Sequence, residues 1–475
     1  MSMRSVSFVQ RLELDVPGNL FTHALVLGDV DNDQQSEFVV GTVNGLLCIF
    51  KGMNAEPWKA ASGLGMVTCV GIGDVCNKKK NVLVCLTAEG WCHLFHISDV
   101  KVPTASTEKR KGSIELDKHK AQSDKTSADK EKQKAASDAE KTSEAAEQGG
   151  IGDLQPNHTQ HIPANTKMVL IYDVDNDGKC ELIVGHTDRI VRAYRWVDAT
   201  PAETDSSGFS SGHLEHIQQW YLPGQVGSLA VNTRPDGTPM LVVSQPGCNY
   251  VELVCVWATD KNKDIDQATE QHVIYHPIST TRARNPGVST EILGHISRGE
   301  DVSGKSGLYA LCTLDGTLML VTDDKIVWSH LVDHQLFAIA KLDITGDGKE
   351  EVLACAWDGQ TYIVDQKKQT VRFHFEQNVC AFCAGHYGVD GRNSPALVYA
   401  TFNNQIYLYW NVKLNKIPSA SLRDVLAADD TLQKHVQDLN VNSSDSEQLR
   451  QLYRWCLYGK SPQQRPEYIE SQEND

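Results

Sequence analysis

Hard oxygen donors recur in this chain at a spacing that suits a divalent cation. In "DVDNDGKCELIVG" (173 to 185), Asp173, Asp175, Asp177 and Glu181 hold relative positions 1, 3, 5 and 9, and Gly178 is free to turn. Carboxylates in that order match calcium, a hard cation that takes oxygen ligands. An EF-hand is excluded, because its bidentate glutamate stands at the twelfth loop position and here that residue is Val184, inside the next apolar run. A second copy offers Asp29, Asp31, Asp33 and Glu37 with Gln34 in the place of the glycine, and a third offers Asp343, Thr345, Asp347 and Glu351 with Gly348. The equivalent "DVCNKKKNV" has lost the set. The same side chains suit a second role, since Asp and Asn cap tight turns by accepting from backbone amides. Calcium ligation by Asp173, Asp175, Asp177 and Glu181, and a purely structural turn, both remain open on the sequence.

Other chemistry is harder to build. "GEDVSGKS" (299 to 306) has the spacing of a P-loop, but a phosphate cradle needs a strand before it and a helix N-terminus after it. The adjoining "GLYALCTLDGTLML" reads as two strands and a turn, and Glu300 and Asp301 would put negative charge in the cradle. "CAFC" (380 to 383) is a lone C-x-x-C, and strand residues three apart face opposite sides of a sheet, which disfavours a shared metal or disulfide. The 17 histidines are scattered, with neither an H-E-x-x-H pair nor a G-x-S-x-G elbow. The expectation is a protein that is not an enzyme and has no resident cofactor unless an acidic turn holds calcium.

The elements that position these turns form a repeat. "HALVLGDVDNDQQSEFVVGTVNGLLCIFK" (23 to 51), "KMVLIYDVDNDGKCELIVGHTDRIVRAYRW" (167 to 196) and "LFAIAKLDITGDGKEEVLACAWDGQTYIVD" (336 to 365) share one order: apolar run, acidic turn, apolar run, glycine turn, aromatic-rich run. Four further copies begin near 66, 226, 289 and 379, which makes seven units. Runs rich in Val, Ile, Leu and Tyr, bounded by Gly, Asp and Asn, are strand and hairpin chemistry. Four-stranded units repeated in a ring describe an all-β, seven-bladed β-propeller over residues 1 to 415. An open ring would expose unpaired edges, so residues 5 to 14 are expected to supply the fourth strand of blade seven. Trp196, Trp257, Trp357 and Trp410 recur near the third runs and read as packing between blades.

Residues 98 to 158 lose nearly all large apolar side chains and mix Lys with Asp and Glu, which predicts a disordered insert between blades two and three. After the ring the period changes. Leu422, Val425, Leu426, Leu432, Val436 and Leu439 predict a helix within 419 to 440, capped near Ser421 and Asp424. Leu449, Leu452, Tyr453 and Cys456 predict another within 444 to 459, stopped by Gly459. Residues 416 to 475 are thus expected to form a helical tail with a disordered end.

A formal charge of -16 and a pI near 5.5 argue against a broad contact with nucleic acid or an anionic membrane. The first residues lack a secretory apolar run, and 13 cysteines in apolar settings read as reduced thiols. A cytoplasmic location is expected.

The unit "LGDVDNDQQSEFVVGTVNG" resembles the FG-GAP repeat of integrin α-subunit propellers. The stretches "MRSVSFVQR", "GDVCNKKKN", "HIPANTK", "VSQPGC" and "VDHQLFAIAKLD" extend the likeness outside the generic repeat, to the family of integrin-α FG-GAP repeat-containing protein 2. That resemblance implies a non-enzymatic scaffold subunit of the KICSTOR complex, acting with kaptin, the large SZT-type subunit and the remaining subunit. It further implies recruitment of the GATOR complex to lysosomal membranes and negative regulation of the mTOR complex when amino acids or glucose are scarce. The generic repeat alone leaves a different role open, that of a calcium-binding propeller for ligand binding or adhesion.

Overall fold

The apolar runs become the second strands of seven sheets, and their burial explains their composition. Glu37–Gly41, Val82–Thr87, Leu308–Thr313 and Glu351–Ala356 are buried at every residue, because each is covered by a neighbouring blade on both faces and so has no polar side to alternate with. Fourth strands lie at the rim and do alternate, as Thr370–His374 shows. This computed structural model describes residues 4–97, 152–199, 211–234, 236–255, 273–277, 287–299, 307–322, 325–417, 426, 429–439, 441–442 and 445–459.

The fold is a seven-bladed β-propeller. Blade one runs outward as Leu25–Gly28, Glu37–Gly41, Leu47–Phe50 and Lys59–Ala61, and blade three as Thr166–Tyr172, Glu181–His186, Ile190–Asp198 and Gly212–Tyr221. Blade six has the same antiparallel order with Leu336–Leu342, Glu351–Ala356, Gln360–Val364 and Thr370–His374. Each of the seven main hydrophobic clusters is shared by two adjacent blades. Close approach between blades leaves no room at Gly41, where a Cβ would lie 2.3 Å from Val67 Cγ1 of blade two.

Closure is made by the N-terminus, but over fewer residues than the 5 to 14 expected. Arg11–Asp15 pairs antiparallel with Gln405–Tyr409 of blade seven, while Arg4–Val6 pairs parallel with Thr370–His374 of blade six. One strand can bond to only one sheet edge, so the chain leaves strand geometry while it crosses between blades, and Phe8 stacks on Phe373 at 5.0 Å during the crossing. The seam is then filled by Phe38 and Phe50 from blade one and by Leu14, Tyr387, Ala396 and Leu408 from blade seven.

The insert is also placed differently. His158–His161 pairs with Trp91–Phe95 as the fourth strand of blade two, so the insert interrupts that blade instead of separating it from blade three. Gly152–Asp153 adds a parallel strand to the rim of blade one. The polar "HTQH" alternates at a rim and carries no apolar run to announce it. Residues 98–151, on which the expectation of disorder falls, lie outside those described. So do 418–425 and 460–475.

Asp430–Asp438 is a tail helix within the 419 to 440 expected, with Asp429 as its cap accepting from Thr431 N and Leu432 N, while the caps expected near Ser421 and Asp424 lie outside the described residues. The second is Ser446–Tyr458, capped by Asp445 and ended by left-handed Gly459, φ 63°. Leu426, Val436 and Leu449 form a small core of the tail's own with Val441 and Leu452 beside it, while Tyr453 and Cys456 are exposed. Trp196 is buried edge-on to His158 across blades two and three, as packing requires. Trp410 is half-buried at the seam, Trp357 is 41% exposed, and Trp257 lies outside the described residues.

Candidate functional site

The acidic turns are the first hairpins of blades one, three and six, and they fold alike because the same atoms make the same bonds. The first aspartate caps the turn: Asp29 Oδ2 accepts from Gln34 N at 2.9 Å, Asp173 Oδ2 from Gly178 N at 2.8 Å, and Asp343 Oδ2 from Gly348 N at 2.9 Å. The third acidic position accepts from the amide two residues on, Asp33 from Gln35 N, Asp177 from Lys179 N and Asp347 from Lys349 N. The glutamate reaches back from the second strand, Glu37 to Val30 N at 3.0 Å, Glu181 to Val174 N at 3.1 Å and Glu351 to Ile344 N at 2.9 Å. Blade two, which lost the other acids, keeps the cap, with Asp74 accepting from Lys78 N and Lys79 N.

The residue bonded to the first aspartate must turn left-handed. Gly178 and Gly348 both have φ 84°, but blade one uses Gln34 at φ 71°, where a side chain is strained. Gln34→Gly keeps the amide that Asp29 accepts and is expected to stabilise the ring by about 0.5–1 kcal/mol. A chemical melt of the two proteins measures it.

What fills the turn differs between blades. In blade one the Lys51 ammonium lies 2.7 Å from Asp33 Oδ2 and 3.0 Å from Glu37 Oε1, and is also bonded to Asp31. In blade three the Arg195 guanidinium gives Nε to Glu181 Oε1 at 2.8 Å, Nη1 to Asp177 Oδ2 at 2.9 Å and Nη2 to Asp175 Oδ2 at 3.2 Å. Both bases follow the glutamate by fourteen residues, Lys51 just past the third strand Leu47–Phe50 and Arg195 within the third strand Ile190–Asp198. Burial alone would lower the Lys51 pKa, and its bonds to Asp31, Asp33 and Glu37 outweigh burial and raise it. Arg195 is raised in the same way, chiefly by Glu181. Burial pushes the Glu37 and Glu181 carboxyls up, against the pull of those bases.

Among the described residues, acidic oxygens converge to within 4.8 Å in two groups, Asp29, Asp31 and Asp33, and Asp173, Asp175 and Glu181. Those are the two turns that contain a base. A divalent ion would have to displace Lys51 or Arg195 to reach the same oxygens. Blade six has Asp365 at the corresponding place, with its carboxylate turned to Lys367 N and Gln369 N. There Thr345 replaces the second aspartate and donates to Glu351 Oε1 at 3.2 Å. Burial, with Asp343 and Asp347 adding, pushes the Glu351 carboxyl up to about 7 against the Ile344 amide and the Thr345 hydroxyl. The residues named from sequence are therefore brought together. The spacing of the acids does not point to Lys51 and Arg195, whose shared signal is a base fourteen residues after the glutamate.

The axial cavity, about 490 Å³, is walled by Val70, Met168, Leu293 and Ile339 with His23 and His386. Burial, with the Lys167 cation adding, holds His23 down at about 4. Lys167 donates to Gly227 O at 3.0 Å, and Lys341 donates to His295 O and lies 3.0 Å from Glu350. Both lysines are struts between adjacent blades. Of the P-loop-like stretch 299 to 306 only Gly299 is among the described residues, and the next described element is strand Leu308–Thr313. Cys380 gives its thiol to Ala400 O at 3.3 Å, and all 13 cysteines are free thiols.

The family model of integrin-alpha FG-GAP repeat-containing protein 2 matches residues 51–414. The chain belongs to that family. A relative in Mus musculus, "KICSTOR complex protein ITFG2", is 44% identical over 470 residues, which is 96% of this chain and 96% of the relative. The Bos taurus protein of the same name is 44% identical over 440 residues, 90% of this chain and 75% of its own length. Among solved structures, a crystal structure of BBS1N in complex with ARL6DN, soaked with mercury, superposes with a TM-score of 0.52 at 11% identity over 87% of this chain and 100% of the other. That likeness carries the fold alone. Within the FG-GAP repeat-containing protein 2 family, Lys51 opens the matched region and the tail helices lie beyond its end.

Proposed function

We propose that the chain is a non-enzymatic scaffold subunit of the KICSTOR complex. The observation that carries this reading is identity of 44% running through both the blades and the tail of the mouse relative so named. In this reading the protein acts with kaptin, the large SZT-type subunit and the remaining subunit, helps to recruit the GATOR complex to the lysosomal surface, and restrains the mTOR complex when amino acids or glucose are scarce. Among the described residues no helix is long and apolar enough to cross a membrane, and the lysosomal surface is reached through partner subunits.

Scaffold propellers contact partners through turns at the two ends of the blades. The acidic first hairpins occupy one end. Turns between second and third strands lie at the other, where Trp91, Trp357 and Phe402 are 41%, 41% and 62% exposed, and exposed aromatics are the residues on which interfaces anchor. Tagged full-length protein is expected to co-purify with the other KICSTOR subunits. The double variant Trp357→Ala, Phe402→Ala is expected to lose at least ten-fold in recovered partner while melting as the parent does. Recovery of the parent without any KICSTOR subunit would overturn the reading.

A further inference from the structure

We propose that Lys51 and Arg195 are built-in replacements for the divalent cation that the acidic turns of blades one and three are shaped to hold, so that these turns are complete without calcium. Two different side chains reach the same point from the same place in the repeat. Lys51 contacts Asp31, Asp33 and Glu37, and Arg195 contacts Asp175, Asp177 and Glu181. Those are the second, third and last acidic positions of each turn, three of the four carboxylates that a calcium ion would take.

Tethering decides the competition. A base carried at the adjacent strand is present at high effective concentration, whereas an ion must arrive from solution and dislodge it. Dislodging is unfavourable, because Glu37 and Glu181 have side chains that are 0% exposed and a base driven out of the turn loses every carboxylate at once. Lys51 is held from a further side by Trp58, whose ring centroid lies 4.9 Å from Nζ.

Blade six supplies the internal comparison. It has neither the base nor the second aspartate, and its acids are not among the converging groups. Acid and base vary together: where three carboxylates meet, the chain provides the positive charge, and where it provides none, one carboxylate is replaced by a hydroxyl. The residues present therefore do not fit a resident metal in blades one and three.

The experiment is thermal melting of the full chain in EDTA and in millimolar calcium chloride, with bound calcium counted by equilibrium dialysis. The parent is expected to melt identically in both and to bind no calcium at blade three. Arg195→Met is expected to melt lower in EDTA, to recover toward the parent in calcium, and to bind one additional calcium per chain, while Arg195→Lys stays calcium-indifferent. If Arg195→Met does not fold, Lys51→Met reports the same comparison from blade one. A parent whose melting rises in calcium, with the rise abolished by Asp175→Asn, would overturn the proposal. So would variants lacking the base that fold but neither bind calcium nor recover in it.

Discussion

A chain lacking residues 1–16 is expected to melt far below the full-length protein, and one lacking only residues 1–9 to fall between them. The larger truncation removes the closing strand Arg11–Asp15, whose five residues pair with Gln405–Tyr409, and exposes that strand's edge to solvent. It also removes Leu14 and Val16, which are 2% and 1% exposed, at about 1.5–3 kcal/mol of lost burial each. The cluster that joins blades seven and one opens with them, since Leu14 and Val16 belong with Ile406 and Leu408 to the packing that meets Phe38 and Phe50 of blade one. A total near 5 kcal/mol reaches the lower end of what natural domains possess. The shorter truncation gives up three parallel pairs on blade six, the Phe8–Phe373 contact, the packing of Val6, and the bonds of Arg4 to Lys416 O and of Arg372 to Ser5, but leaves the closing strand in place. Thermal melting of the three proteins separates these outcomes, and a 1–16 truncation that melts with the parent would show that the ring does not depend on its seam.

Glu351→Gln is expected to reverse the alkaline weakening of blade six. The carboxyl has its ordinary value near 4.5 in the unfolded chain and about 7 in the fold, raised by burial. Between those values the folded protein holds a proton that the unfolded chain has released, so stability is lost as pH rises through that window, by about 3 kcal/mol in all. Below about 4.5 both states are protonated and nothing is lost. Glutamine keeps an oxygen that can accept from Ile344 N and has nothing to titrate. Measured by denaturant melts from pH 4.5 to 8, the difference between variant and parent is expected to move about 3 kcal/mol in the variant's favour. A difference that stays flat with pH would mean that Glu351 is ionised in the fold.

The blades are readable in the sequence because their second strands are covered on both faces and have to be apolar throughout, as in "EFVVG" and "EVLACA". Rim strands carry no such demand. Hence no apolar pattern marks His158–His161 as the fourth strand of blade two, and the insert of 98 to 158 reads as lying between blades when it falls within one. Closure is legible as a strand without a partner, but its division at Phe8 depends on where two blades stand in space. The acidic turns are legible as a set of donors, whereas their occupants are not, because Lys51 and Arg195 stand fourteen residues beyond the glutamate. In the tail, apolar spacing locates the helices Asp430–Asp438 and Ser446–Tyr458, and the cap at Asp429 carries no signal in that spacing.

The seam also has a history in time. Arg11 leaves the ribosome roughly 400 residues before its partner Tyr409, about 20–80 s at ordinary elongation rates. Throughout that interval the edge of blade seven does not exist, and the segment 11–15, with Leu14 and Val16 meant for burial, has nothing of its own to pair with. The growing ring is thus an open arc until blade seven is complete, and the strand made earliest among its blades, Arg11–Asp15, is the last to be placed.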